Sequence, residues 1–150
     1  MFKRKSGFVG SKTLNFNIKY VAAATKLQKT MAKLLPFIEN ILYETVMPIM
    51  LVTHKDVTLF QEDPIEYIRK QLDFTETLFM PKNTVIDLLM YICSYTSTPK
   101  TKGKKQKRKP DYLFPFLNFA VSNMQQYQDQ LSQGHHPDWR IKEALLCSIG

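Results

Sequence analysis

Apolar residues recur along this chain at helical spacing. Leu14, Ile18, Val21 and Leu27 form one series, carried through the helix-favouring run Ala22-Ala23-Ala24, and Ser11 is placed to cap it. The pattern predicts a helix from Ser11 to about Lys29. A wider stripe (Leu34, Phe37, Ile38, Ile41, Leu42, Val46, Ile49 and Met50) predicts a second from about Leu35 to Leu51, with Pro36 in its first turn and Pro48 bending or ending it. In Leu59–Leu72 an Asp-Pro-x-Glu signal, Asp63-Pro64-Ile65-Glu66, marks a helix start, with Ile65, Ile68 and Leu72 on one face. A third long helix opens at Pro81 and runs to about Ser94, its apolar face formed by Val85, Leu88, Leu89 and Ile92. Two more follow. One spans Tyr112 to Leu131, burying Leu113, Phe116, Leu117, Ala120, Val121 and Met124 and stopped by Gly134; the last starts at Pro137-Asp138-Trp139. No stretch alternates as a strand would. The expectation is all-α, with no sheet.

Composition refines this picture. The 150 residues are 44% hydrophobic, and the two cysteines, Cys93 and Cys147, lie within apolar patterns, where buried, reduced thiols are expected rather than a disulfide scaffold. No stretch is expected to supply the roughly twenty apolar residues of a membrane span, and the start does not read as a secretory signal. The formal net charge is +8. It is concentrated in two places: Lys3, Arg4 and Lys5 in a polar tail at 1–10, and Lys100, Lys102, Lys104, Lys105, Lys107, Arg108 and Lys109 in a loop expected over 97–110. Setting those ten cations aside leaves eleven basic residues against thirteen acidic ones. A domain that tracks nucleic-acid phosphates spreads its cations over a folded face, and the loop has no aromatic for base stacking, so nucleic acid is disfavoured. The lysine-rich loop reads as a solvated insertion, with an electrostatic arm as the alternative.

Catalytic and metal signatures are missing from the sequence. His135 and His136 sit beside Pro137 as a surface turn, His54 stands alone, and neither HExxH nor CxxC spacing occurs. There is no phosphate-cradling glycine loop and no nucleophile elbow. The expectation is a non-enzyme without cofactor. Trp139 is expected to pack between helices. The apolar end, Glu143 to Gly150, has no polar closing turn, as in a helical repeat array cut within a repeat.

One block is distinctive. Phe60-Gln61-Glu62-Asp63-Pro64-Ile65-Glu66-Tyr67-Ile68-Arg69 resembles the importin-β superfamily of nuclear transport receptors, and within it the importin-seven/importin-eight branch, where an aromatic-Gln-Glu-Asp-Pro-x-Glu-Tyr-Ile-Arg block sits mid-chain. Thr13-Leu14-Asn15, Val46-Met47-Pro48-Ile49-Met50 and Pro137-Asp138-Trp139-Arg140-Ile141-Lys142-Glu143-Ala144-Leu145 are similar to flanking family segments, so the resemblance covers 13–99 and 111–150. It implies an α-solenoid of about three HEAT-like hairpins over 11–150, part of a longer receptor. Such receptors bind cargo proteins, possibly basic ones, the GTP form of the small GTPase Ran, and nucleoporins, and move between cytoplasm and nucleus through the pore. Within the block, Phe60, Gln61, Glu62, Asp63, Pro64, Glu66, Tyr67, Ile68 and Arg69 serve either as a helix start packed between repeats or as a partner surface. The lysine-rich loop has no counterpart in the family pattern. The rival reading is a helical nucleic-acid-associated or scaffold protein that uses this loop as its arm.

Overall fold

The structure, a computed structural model, describes residues 10–73, 75, 80–97 and 110–149. The expected basic tail and all seven cations of the lysine-rich loop lie outside the described residues. Among those described, every regular element is helical.

Helix α1 (Ser11–Lys26) starts one residue earlier in capping terms than expected: Gly10 holds the N-cap position, and Ser11 is already helical. The backbone turns extended at Leu27, which splits the first expected helix and leaves the Leu27 side chain in solvent. From there a rod, α2, occupies residues 28–50. Its winding changes along the way: α-helical Gln28–Leu34, a 3₁₀ turn Leu35–Phe37 around Pro36, α-helical Ile38–Asn40, a π-helical turn Ile41–Val46, and a last α turn Met47–Met50 containing Pro48. Proline cannot donate to the preceding turn. The Met47 amide accordingly donates to Leu42 O, five residues back, and the rod ends two residues after Pro48.

Helices α3 (His54–Glu62) and α4 (Pro64–Leu72) form a short hairpin, α5 (Pro81–Ser94) has its expected boundaries, and α6 (Leu113–Ser132) and α7 (Trp139–Ile149) form a longer hairpin. Gly134 terminates α6 with φ 77°, where any Cβ is strained, and the His135 amide closes the turn on Gln130 O at 2.9 Å.

The core is one cluster fed by α1, α2, α5, α6 and α7. Ile18, Ala22, Met31, Ile38, Leu42, Val46, Met47, Met50, Leu51, Val85, Leu88, Leu89, Ile92, Phe116, Ala120, Ile141, Ala144 and Leu145 are its buried members. By length and composition, Gln28–Glu62 is apolar enough to cross a membrane, against expectation. Its Ile38, Leu42, Val46, Met47 and Met50 are instead enclosed by other helices.

Helices α1 and α5 form the most extensive contact. Near their starts, the buried Thr84 hydroxyl donates to Asn15 Oδ1; near their ends, Lys26 Nζ sits 4.5 Å above the Tyr91 ring. Contacts at matching ends mean that the two helices run parallel. Helix α5 also packs on the π turn and last turn of α2 and on α6, while α7 packs on α6 and on Met47–Met50. Tyr43 of α2 stacks on Phe119 of α6 at 4.2 Å between centroids.

Several side chains depart from their expected faces. Phe37 and Val121 are exposed, and α6 buries Asn123 and Tyr127 further along its length. Trp139 is 52% exposed, because α7 turns Ile141, Ala144 and Leu145 inward and leaves its first residue outside. Cys147 is exposed too, and Cys93 is half-buried; neither forms a disulfide.

Two substitutions test this core by chemical denaturation. Phe116→Ala is expected to cost about 3–5 kcal/mol through lost contact and residual cavity. Asn15→Ala, which strips the Thr84 hydroxyl of its buried acceptor, is expected to cost about 1–3 kcal/mol.

A candidate interaction surface on the α3–α4 hairpin

The ten-residue block Phe60–Arg69 falls across the α3–α4 hairpin. Helix α3, not anticipated in the sequence, is set by Thr53: the Asp56 amide donates to its hydroxyl at 3.2 Å, and the Thr53 amide and hydroxyl donate back to Asp56 Oδ2 at 3.2 and 2.5 Å. That reciprocal box was legible as Thr53-x-x-Asp56, with Asp in place of the usual Glu or Gln. Asp63 starts α4 as expected, its Oδ1 accepting the Glu66 amide at 2.9 Å with Pro64 in the first turn. Only half of the expected box forms. The Asp63 amide is spent on Leu59 O at 2.8 Å, closing α3, and the Glu66 carboxylate turns instead to Arg69 Nε at 3.0 Å.

Across the turn, Phe60 meets Tyr67 edge to face, with centroids 5.4 Å apart and planes at 78°. These two helices pack chiefly on each other, and neither buries a single residue. The expected apolar face of α4 therefore points outward: Ile65 and Leu72 are each 79% exposed and Ile68 is 53% exposed. Gln61, Glu62, Asp63, Pro64 and Arg69 are exposed as well, and Tyr67 is half-buried against Phe60. The block is a surface element.

One polar cluster ties the hairpin to the core. Arg140 grips Asp138 through Nε at 2.9 and 3.0 Å and Nη2 at 2.5 Å, and its Nη1 lies 3.2 Å from His54 Nε2 at the start of α3. The hydrogen bonds from Arg140 hold the Asp138 carboxyl below the usual carboxylate range and raise the guanidinium further. In the sequence Asp138 stands at the expected start of the last helix and both residues lie in a segment similar to the family's; the contact with His54, far away in the chain, had no local signal.

Elsewhere the chemistry is structural. Among the described residues, no three His, Cys, Asp or Glu side chains gather as a metal site, and His135 and His136 are exposed in the α6–α7 turn. Burial pushes the Cys93 thiol up to about 11. The Cys147 thiol is also raised, by desolvation first and then by its hydrogen bond to Glu143 Oε1 at 3.1 Å. Both are poor nucleophiles at neutral pH. At the root of the lysine-rich loop, the Asp111 amide donates to Tyr95 O at 3.0 Å and the Ser97 amide to Asp111 Oδ2 at 2.8 Å, so its two ends leave the fold side by side.

Comparison with known proteins returns importin-type relatives. The chain is 26% identical over 147 residues to an importin beta-like SAD2 homolog of Arabidopsis thaliana, covering 98% of the chain and 13% of that relative. It is 29% identical over 99 residues to Importin-8 of Homo sapiens, covering 66% of the chain and 9% of the relative. It is 26% identical over 107 residues to the importin alpha re-exporter of Saccharomyces cerevisiae, covering 71% and 9%. The chain thus spans about a tenth of the length of these relatives, whose names denote carriers and not enzymes. No family model matches it, and no solved structure matches significantly.

Asp63→Ala is expected to cost about 1 kcal/mol of helix stability, read as faster amide exchange confined to 54–72. Ile65→Ser with Leu72→Ser should leave global stability within about 0.5 kcal/mol. Asp138, its folded pKa depressed, contributes stability that is present above its unfolded value near 3.9 and lost as pH falls through the lower folded value. The stability difference between the wild type and Arg140→Gln should therefore shrink as pH drops below about 4.

Proposed function

We propose that this relative of the importins is one stretch of a nuclear transport receptor, working by protein binding as part of a longer helical solenoid of HEAT-like hairpins spanning 11–150. The observation that carries this reading is the likeness to an importin beta-like protein along 98% of the chain. The packing suits it. Phe16 and Tyr20 expose an apolar face on α1, and Phe114, Val121, Trp139 and Leu146 expose others on α6 and α7. A repeat array covers such faces with neighbouring hairpins, each repeat contacting only the next. Shape changes then add up over many small interfaces, which lets two ligands that favour different curvatures exclude one another.

In this reading the receptor carries cargo between cytoplasm and nucleus through the pore, meeting nucleoporins on the way, and binds Ran in its GTP form. The block from Phe60 to Arg69 supplies a partner surface: its outward Ile65 and Ile68, continued by Leu72, offer apolar area, and Glu62, Asp63 and Glu66 offer charge to a basic partner. The lysine-rich loop is an accessory insertion.

The test is retention on the immobilised parent receptor. Ran loaded with GTP should bind, Ran loaded with GDP should not, and removal of residues 100–109 should leave the result unchanged. Retention of RNA without Ran, abolished by the same deletion and by raised salt, would replace this reading with the nucleic-acid arm.

A further inference from the structure

His54 is the first residue of α3, and the Thr53–Asp56 box fixes its backbone. Arg140, across the contact, is held more tightly still. Its amide and Nε donate to Asp138 Oδ1, and its Nε and Nη2 donate to Oδ2, so each oxygen accepts two hydrogen bonds from that one residue. A guanidinium carries five N–H donors and no acceptor. Arg140 Nη1 meets His54 Nε2 at 3.2 Å. That nitrogen must therefore present its lone pair, which makes the imidazole neutral with its proton on Nδ1. A second proton removes the acceptor and sets two cations against each other. Asp138 is close enough to feel the charge of the ring. It cannot replace the lost bond, because a carboxylate has about four acceptor sites and Arg140 fills them.

We propose that His54 and Arg140 form a pH-operated latch: neutral His54 holds the α3–α4 hairpin to α7, and protonation of His54 releases it. Histidine is the side chain that changes charge between pH 5 and 8. The open hairpin frees the ring from Arg140 and takes the proton more readily, so the latched fraction falls as pH falls. The other charged and titratable groups beside the ring do not reverse that sign. Among the described residues, Lys12 of α1, Lys55 of α3, Lys70 of α4 and Lys82 of α5 share its shallow clefts with Asp56, Glu62 and Tyr67. Asp56 is engaged by the Thr53 amide and hydroxyl. Release has a consequence because neither helix of the hairpin buries a residue, so the latch fixes the direction in which Phe60–Arg69 faces. The device does not depend on the transport reading.

Hydrogen exchange of the full chain at pH 8 and pH 5 tests the latch, each rate being divided by that of the same amide in an unstructured chain. Relative to the Val85–Ile92 amides, protection over 54–72 should fall about two- to fivefold at pH 5, the scale of contacts between exposed charges. His54→Gln keeps an acceptor for Arg140 and cannot titrate, so its hairpin should be equally protected at both pH values. His54→Lys carries a permanent cation and should be weakly protected at both, its folding checked by circular dichroism. His135 and His136 are present in all three proteins, and both pH values lie above the range in which Asp138 gains its proton. Equal protection of the wild-type hairpin at the two pH values, or a pH dependence that survives in His54→Gln, overturns the proposal.

Discussion

The seam between α1 and α5 governs how the rest of the chain can be arranged. It places a hydroxyl–amide pair, Thr84 on Asn15, inside an otherwise apolar contact, where an unmatched polar group would be costly. In the observed register these two side chains pair while Ile18, Ala22, Val85 and Leu88 enter the same core cluster. The seam also makes two helices parallel although the chain must traverse more than fifty residues between them. The rod α2 and the α3–α4 hairpin provide that return path. With α5 fixed on one side by α1, its other face receives the end of α2 and the flank of α6, and α7 closes over both.

The hairpin on the return path is built by different means. Its two helices owe their boundaries to caps, Thr53 with Asp56 and Asp63 with Pro64, and owe little to burial. Among the described residues, the edge contact of Phe60 with Tyr67 joins its two helices and the contact of Arg140 Nη1 with His54 Nε2 ties it to the start of α7. An element with so little burial is expected to open more readily than the core, and its Ile65, Ile68 and Leu72 side chains stand in solvent.

Local signals were read well, and long-range ones were not. Pro81–Ser94, the Asp63 start and the Gly134 stop each carried their cause within a few residues, and the structure places them as the sequence predicts. Helix α3 escaped because its cap uses an uncommon Asp partner and its face carries few apolar residues. Trp139, Val121 and Phe37 sit on helices with apolar residues on several sides, so periodicity alone could not say which side the core would take. The pairings Asn15–Thr84, Lys82–Glu143 and His54–Arg140 join positions more than sixty residues apart, and only packing reveals them. Of the surface block, the residues were evident in the sequence and their outward orientation was not.

The π-helical turn at Ile41–Val46 holds one residue more than a regular winding of the same rise would accommodate. Each helical residue advances the azimuth by about a hundred degrees, so the turn works as a rotational offset between the two halves of the rod. Met31 and Ile38 before the turn and Met47 and Met50 around its end all reach the one core cluster. A chain one residue shorter here could wind smoothly, yet would swing one half of the rod out of its socket. In such a lineage, insertions and deletions within this turn would be tolerated only in company with compensating changes at the contacts to α5 and α7.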